Sequence, residues 1–164
     1  MFPTKGKLHV RPYTTEDKDF VYGLFCSVRA GELEYSNLDE AQKKQFLDHQ
    51  FKAMHHTYGT RFPQGEHLIV VRRNKDVGRI YINENDDEIR LLDIIIAPEQ
   101  RNKGIGADLL KMMMQRSNQI NKVIRFYVWH SNFDAQRFYS RLGFVQVRDD
   151  NSYLLFERVP NPKM

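Results

Sequence analysis

The sequence predicts one α/β domain of the α+β type, in which a central mixed, mostly antiparallel sheet of about seven strands is flanked by about four helices. Three observations support this prediction. The chain has 164 residues, 41% of them hydrophobic, which is enough for a single domain with its own core. Segments with the period of a strand alternate with segments with the period of a helix. No internal repeat and no linker rich in Gly, Ser or Pro divides residues 1–164.

The N-terminal third predicts a strand followed by two helices. Apolar and polar residues alternate from Leu8 to Tyr13, as in a half-buried strand. We expect one helix from Thr14 to Gly31 and a second from Asn37 to about Tyr58, closed by Gly59. Each begins with a residue that can cap a helix, followed three positions later by an acidic residue and then by an apolar stripe at helical spacing.

The remainder of the chain predicts a meander of three strands, a crossover helix, and a strand–helix–hairpin end. A strand that follows a helix can run parallel to the strand before that helix, which accounts for the mixed sheet. The predicted strands are His67 to Arg73, Val77 to Asn83, Ile89 to Ala97, Val123 to Trp129, Phe144 to Val147 and Tyr153 to Arg158. The predicted helices are Asp108 to Ser117 and Asn132 to Arg141.

Charge and composition argue against several classes of protein. The net charge of +4 comes from 25 basic residues interleaved with 21 acidic ones, so no basic stripe indicates nucleic-acid binding. No apolar run has the length of a membrane span, and the N-terminus lacks the apolar centre of a secretion signal. Cys26 is the single cysteine, so an internal disulfide is excluded. We expect a cytoplasmic protein with a frayed tail over residues 160–164.

The stretch from Leu91 to Ala107 joins a buried strand to a helix through a short basic loop with two glycines. The first amides of a helix have no intrahelical partner, and the helix dipole favours an anion there, so the loop predicts a phosphate site. A P-loop would need Lys and Ser or Thr after Gly106, where Ala107 and Asp108 stand. The dinucleotide fingerprint would need a small residue where Leu109 stands. A glycine-rich helix start without a ligand is the alternative.

Two motifs resemble those of the GCN5-related N-acetyltransferase (GNAT) superfamily. Arg101-x-x-Gly104-x-Gly106 resembles the loop that binds the pyrophosphate of acyl-CoA in that family. A second motif, Asn-x-x-Ala-x-x-x-Tyr-x-x-x-Gly-Phe, is carried by Asn132, Ala135, Tyr139, Gly143 and Phe144. The motifs occur in the family's order, separated by a helix and a strand, and the order of elements extends the resemblance to the whole GNAT fold.

The resemblance implies a binding site for coenzyme A. Backbone groups of Ile94 and Ile96, on the strand that also contains Ile95, would pair with the pantetheine arm, which Asn132 would also touch. Charge would come from Arg101 or Lys103. The residues that would surround the pyrophosphate with backbone amides are Asn102, Lys103, Gly104, Ile105, Gly106 and Ala107.

The resemblance also implies two catalytic residues. Tyr139 would lie at the sulfur and protonate the thiolate leaving group, whereas its alternative is an aromatic core residue beside Phe138. Asp93, the one charged residue of an apolar strand, is the candidate base that deprotonates the amine. Its alternative is a structural pair with Arg90, Arg79 or a backbone amide. Some relatives have glutamate on the next strand, where this chain has Tyr127.

The predicted function is acetyl transfer from acetyl-CoA to a primary amine, by direct attack in a ternary complex, without a metal or a covalent enzyme intermediate. A small-molecule acceptor is favoured, and the expected protein is a monomer or homodimer without nucleic-acid or membrane partners. The alternatives are a protein or peptide amine as acceptor, or a coenzyme A-binding regulatory module without turnover. The helix pair suggests a pocket lined by Arg29, Glu32, Tyr35, His55, Tyr58 and Phe62.

Overall fold

A computed structural model describes residues 6–163 of the protein. Within that range a seven-stranded sheet is accompanied by four α-helices. The strands are β1 (Leu8–Pro12), β2 (Glu66–Arg72), β3 (Lys75–Glu84), β4 (Glu88–Ile96), β5 (Val123–Trp129), β6 (Val145–Asp149) and β7 (Tyr153–Arg158). The helices are α1 (Lys18–Leu33), α2 (Glu40–Arg61), α3 (Ile105–Ile120) and α4 (Phe133–Arg141). The predicted fold class is confirmed.

The sheet has the strand order β1-β2-β3-β4-β5-β7-β6. Only the central pair, β4 and β5, is parallel, and all other neighbours are antiparallel. The parallel pair follows from the chain order, because α3 carries the chain from the end of β4 back to the start of β5.

Two helices cover each face of the sheet. Leu68 and Val70 of β2 belong to the main core with α3, against which α4 also packs. Their neighbours Ile69 and Val71 point to the opposite face and pack against α1 and α2. The four consecutive buried residues of β2, Leu68 to Val71, therefore reflect a sheet covered on both sides.

The parallel strands β4 and β5 separate after three residue pairs. Their register runs from Glu88 opposite Val123 to Arg90 opposite Arg125 and then stops, although β4 continues to Ile96. The edge of β4 that faces β5 therefore has no strand partner beyond Arg90. A widening gap opens at the carboxyl end of the strand, where ligands bind in α/β sheets.

Backbone directions in β4 can be read from one hydrogen bond. The Ala97 amide donates to the Val77 carbonyl of β3 at 2.9 Å. Because hydrogen bonding alternates along an antiparallel strand, Ile95 also pairs with β3, whereas the backbone groups of Ile94 and Ile96 face the gap toward β5. This is the orientation that an added pantetheine strand would require.

Several predicted helix ends were wrong by a few residues. Helix α1 passes Gly31 and α2 passes Gly59, and at both glycines a Cβ would meet nothing within 4 Å, so these are exposed helix positions rather than caps. The N-cap of α2 is Asp39, which forms a capping box with Gln42, and not Asn37.

The chain end is tied to α3 as far as it is described. The Asn161 amide donates to Asn118 Oδ1 at 2.8 Å. The predicted frayed tail extends to Met164, which lies outside the described residues, as does the N-terminal segment 1–5. Among residues 6–163, no helix combines the length and the apolar character needed to cross a membrane.

Candidate functional site

The loop between β4 and α3 has the geometry of an anion cradle. It begins with a 3-10 turn at Pro98–Gln100 and turns through two left-handed residues, Asn102 with φ of 59° and Gly104 with φ of 77°. Gly104 is the N-cap of α3, and it has no side chain that could cap the helix. The amides of the first turn therefore point toward the loop without a side-chain partner, at the positive end of the helix dipole.

Gly106 leaves space for a ligand beside these amides. A Cβ at this position would lie 3.7 Å from the nearest atom, on the Phe138 ring, which is an ordinary contact distance. Packing therefore does not demand a glycine here, and its backbone φ is not in the left-handed region. The missing side chain instead allows close approach to the backbone, as binding of a pyrophosphate needs.

The two cations of the loop have hydrogen-bond partners within the described chain. Arg101 Nε donates to the Ile96 carbonyl at 3.0 Å, and its Nη2 donates to Ser27 Oγ at 3.2 Å. Lys103 Nζ donates to Gln100 Oε1 at 3.4 Å. Arg101 thus links the end of β4 to α1.

A cleft of about 750 Å³ lies beside the gap between β4 and β5. Its volume is in the range of small-molecule sites. One wall is formed by Tyr127 and Trp129 of β5 with Tyr153 of β7, which are 39–48% exposed. The Tyr153 ring stacks on Trp129 and meets the Tyr127 ring edge-on. The cleft is also lined by Phe25, Val28, Arg29, Glu32, Met54, Tyr58, Arg61, Phe62, Arg90, Leu91, Leu92, Asp93, Ile94, Ile95, Asn132 and Asp150.

A β-bulge directs Asp93 into this cleft. Ile82 of β3 lies opposite Leu91, but the next pair joins Tyr81 to Asp93, so Leu92 is an extra residue in β4. Leu91 belongs to the core beneath α3, and the bulge turns Asp93 to the opposite face, toward α1 and α2. Tyr58 supports the bulge, because its hydroxyl donates to the Leu92 carbonyl at 3.1 Å.

Asp93 forms an ion pair with Arg79, a fully buried side chain of β3. Both Arg79 Nε, at 3.0 Å, and Arg79 Nη2 donate to the same oxygen, Asp93 Oδ2. No donor from the described residues reaches Oδ1, and the Asp93 side chain is 20% exposed. One oxygen therefore anchors the carboxylate while the other remains available toward the cleft.

Arg79 also contacts two residues of α2. Its Nη1 lies 3.1 Å from His55 Nε2, and its Nη2 donates to the Met54 sulfur at 3.6 Å. Burial, followed by the positive charge of Arg79, lowers the pKa of His55 to about 4. Burial, followed by the positive charge of Arg79 and then by the neighbouring His55, lowers the pKa of His67 to about 3. Both rings are neutral at pH 7, so His55 Nε2 can accept the arginine's hydrogen bond.

These neutral histidines predict acid sensitivity. Above pH 6.5 the folded and unfolded states both hold them neutral, but between pH 6.5 and 4 the unfolded chain binds protons that the folded protein does not. The free energy of unfolding should therefore fall by about 1–3 kcal/mol over that window. Urea titrations at several pH values measure this free energy.

His55→Gln should make the free energy of unfolding depend less on pH, whereas His49→Gln, on the same helix, should leave the pH dependence unchanged. The same pH dependence in the wild type and both variants would show that His55 is not its source.

Tyr139 lies on α4 and packs against the main core. Its ring packs 4.3 Å from the Phe126 ring and also contacts Phe138, Phe144 and Phe156. Burial, and then the charge of Asp93, raises the pKa of the phenol to about 12. The hydroxyl makes no hydrogen bond to another residue in the 6–163 range, so it holds a proton that it can donate to a ligand.

Asn132 is both a cleft residue and a helix cap. Its Oδ1 accepts from the Ala135 amide at 3.1 Å at the start of α4, as its position before an apolar-faced helix predicts. The amide nitrogen of this side chain is the group left to meet a ligand arm, while the cap fixes the orientation of α4 and hence of Tyr139.

The structure brings four of the residues predicted from sequence to one cleft, which is lined by Asp93, Ile94, Ile95 and Asn132. Tyr139, Ile96 and the loop residues 101–107 are not among its lining residues. Of the six pocket residues expected from the helix pair, Arg29, Glu32, Tyr58 and Phe62 line it, His55 lies beneath on Arg79, and Tyr35 is 90% exposed outside it. The aromatic wall was missed, although aromatic residues at the alternate, outward positions of a buried strand were a readable signal.

The part of the chain that the structure describes holds no cluster of three or more His, Cys, Asp or Glu side chains suited to a metal ion.

Known proteins share the sequence pattern. The family model described as acetyltransferase (GNAT) domain matches residues 63–146. The aminoalkylphosphonate N-acetyltransferase of Salmonella typhimurium is 24% identical over 144 residues, which are 84% of this chain and 84% of that protein.

Solved structures share the fold. The PaiA N-acetyltransferase from Thermoplasma acidophilum, in complex with coenzyme A, matches with a TM-score of 0.67 at 18% identity, covering 93% of this chain and 98% of that chain. An acetyltransferase from Thermus thermophilus also has a TM-score of 0.67, at 14% identity, covering 93% and 97% of the two chains.

Proposed function

The chain belongs to the GNAT family of acetyltransferases and is an N-acetyltransferase, and from this premise we propose that it transfers the acetyl group of acetyl-CoA to the primary amine of a small molecule. The observation that carries the proposal is the gap between β4 and β5, where the edge of β4 is unpaired beyond Arg90. Asp93 lines the cleft beside this gap, and Tyr139 packs on Phe126, the residue of β5 that follows the last residue paired with β4. A donor in the gap and an acceptor in the cleft would meet between these two residues.

The chain would hold the donor mainly through its backbone. The amides at the start of α3 and the residues Asn102 to Ala107 would bind the pyrophosphate. The backbone groups of Ile94 and Ile96 would pair with the amides of the pantetheine arm, and Asn132 would touch it from α4. The Ile96 carbonyl already accepts from Arg101, so this side chain would shift or bridge when the arm binds.

The catalytic roles follow from the two sides of the gap. Acetyl-CoA supplies an activated thioester carbonyl. Asp93 Oδ1 would accept a proton from the ammonium group of the acceptor, directly or through water, while Arg79 holds Oδ2. A backbone N–H of β4 would stabilise the charge that develops on the carbonyl oxygen. Tyr139, which keeps its proton at neutral pH, would donate it to the sulfur as the amine replaces the thiolate.

A small-molecule acceptor is supported by the cleft and by a relative. The cleft of about 750 Å³ has an aromatic wall and a volume in the range of small-molecule sites. The related protein of Salmonella typhimurium acts, by its name, on an aminoalkylphosphonate, which is a small amine.

Thiol release from acetyl-CoA tests the proposal. We expect turnover with at least one small primary amine, measured across a panel of amines, amino acids and peptides with free N-termini. Turnover with peptides alone would replace the small-molecule acceptor by a protein amine. Binding of coenzyme A without turnover on any acceptor would instead favour a regulatory module.

A further inference from the structure

We propose that the acceptor carries an anionic group in addition to its amine, and that Arg61 binds this group. The inference rests on the proposed acetyl transfer and adds the chemical class of the acceptor. It covers carboxylates, phosphonates and phosphates, which share the negative oxygens that a guanidinium recognises.

The charge distribution of the cleft favours an anionic group on the acceptor. Six charged side chains line it. Five of them have an ion-pair partner: Arg29 with Glu32 at 3.1 Å, Arg90 with Glu88 at 2.8 Å, Asp93 with Arg79, and Asp150 with Arg148 at 2.9 Å. Arg61 is the sixth, and no ion pair or hydrogen bond joins it to another residue of the described chain. The other charged side chains of the cleft are thus neutralised by their ion-pair partners, and the Arg61 guanidinium is its one uncompensated charge among the described residues.

The position of Arg61 relative to Asp93 also favours this role. Arg61 follows Tyr58 by three residues on α2, so the two side chains share a helix face. The Tyr58 hydroxyl reaches the Leu92 carbonyl, adjacent to Asp93 in β4. The helix face that carries Arg61 is therefore anchored next to Asp93. An acceptor with its amine at Asp93 Oδ1 can extend along this face and place its other end at the guanidinium.

The surroundings of Arg61 suit an anion. Its Cζ lies 5.8 Å from the centre of the Phe62 ring, which also lines the cleft. Contact with an aromatic face holds a guanidinium without using its hydrogen-bond donors. The acceptor's anion could then receive two parallel N–H bonds from Arg61, which a single ammonium group would not provide.

A structural role for Arg61 has to be separated from this one. Arg61 is the last residue of α2, where a cation stabilises the negative end of the helix dipole. If Arg61 has only that role, its replacement lowers stability alone. If Arg61 binds an anion, its replacement weakens the use of anionic acceptors and leaves the use of neutral amines unchanged.

The test compares matched amines on the full-length enzyme. Amines with the same spacer and a terminal carboxylate, phosphonate or methyl group are assayed for thiol release. We expect kcat/KM to be higher for the anionic members, and Arg61→Gln to raise KM for them about tenfold without changing kcat/KM for the methyl compound. Arg61→Lys should restore part of the loss. Lys52→Gln removes an exposed charge from the same helix and should change none of these values.

Three outcomes overturn the inference. Equal use of anionic and neutral amines would show that the acceptor needs no anion, although acetyl transfer itself would stand. An equal loss for all amines in Arg61→Gln would show a structural role. Absence of turnover with every amine would instead remove the proposed function on which the inference rests. An alkylphosphonate without an amine provides a second readout, since it should compete with the acceptor in the wild type and about tenfold less well in Arg61→Gln.

Discussion

Replacing Tyr139 by phenylalanine is expected to lower kcat for acetyl transfer by about a hundredfold and to leave KM for acetyl-CoA almost unchanged. The ring is held by Phe126, Phe144 and Phe156, so the variant keeps the packing of α4 and loses only the hydroxyl. That hydroxyl holds a proton because burial and the charge of Asp93 raise its pKa to about 12. Steady-state thiol release at saturating acceptor measures the effect.

Tyr35→Phe is the matched control, because Tyr35 is 90% exposed and lies outside the cleft. It removes the same atom and should not alter kcat. Full activity of Tyr139→Phe would leave Tyr139 as an aromatic core residue and assign protonation of the thiolate to another donor. A fall in kcat accompanied by a lower midpoint in urea would indicate damaged packing rather than a missing proton donor.

The sequence was most informative where the signal is local. The β4–α3 loop and the Asn132–Phe144 motif are each defined by spacing within about twenty residues, and the structure places Gly104 and Asn132 at the N-caps of helices. Helix ends were less predictable, since Gly31 and Gly59 are tolerated on exposed faces of long helices instead of ending them.

The surroundings of Asp93 could not be read from periodicity. Leu91 and Asp93 are two residues apart and would share a face in a regular strand, but the bulge at Leu92 separates them. The resulting cluster joins Asp93 to Arg79, 14 residues earlier in the sequence, and Arg79 to His55, 24 residues earlier still. Arg79 was one of several possible partners for Asp93, and only the register of β3 and β4 selects it.

The second large effect concerns this ion pair. Asp93→Asn should abolish most acetyl transfer and lower the free energy of unfolding by about 3–5 kcal/mol, because it leaves the fully buried Arg79 without a counterion. Asp76→Asn is the matched control. Asp76 pairs with Arg11 at the surface, where both side chains are more than one-third exposed. Loss of this ion pair should therefore lower the free energy of unfolding by at most about 1 kcal/mol.

A double variant separates catalysis from stability. Arg79→Met combined with Asp93→Leu replaces the pair by apolar side chains of similar size and should recover most of the stability lost in Asp93→Asn. Activity should not recover, because the proton acceptor at the cleft is still absent.

If Asp93→Asn instead keeps the wild-type kcat and pH–rate profile while losing stability, the carboxylate serves only to neutralise Arg79. The base would then be sought among the other groups lining the cleft, or in a bound water. If both stability and activity survive, Arg79 tolerates burial with His55 and Met54 as its only remaining described partners. That result would contradict the electrostatic argument for the whole cluster, since a buried charge without a counterion should be the most costly group in the protein.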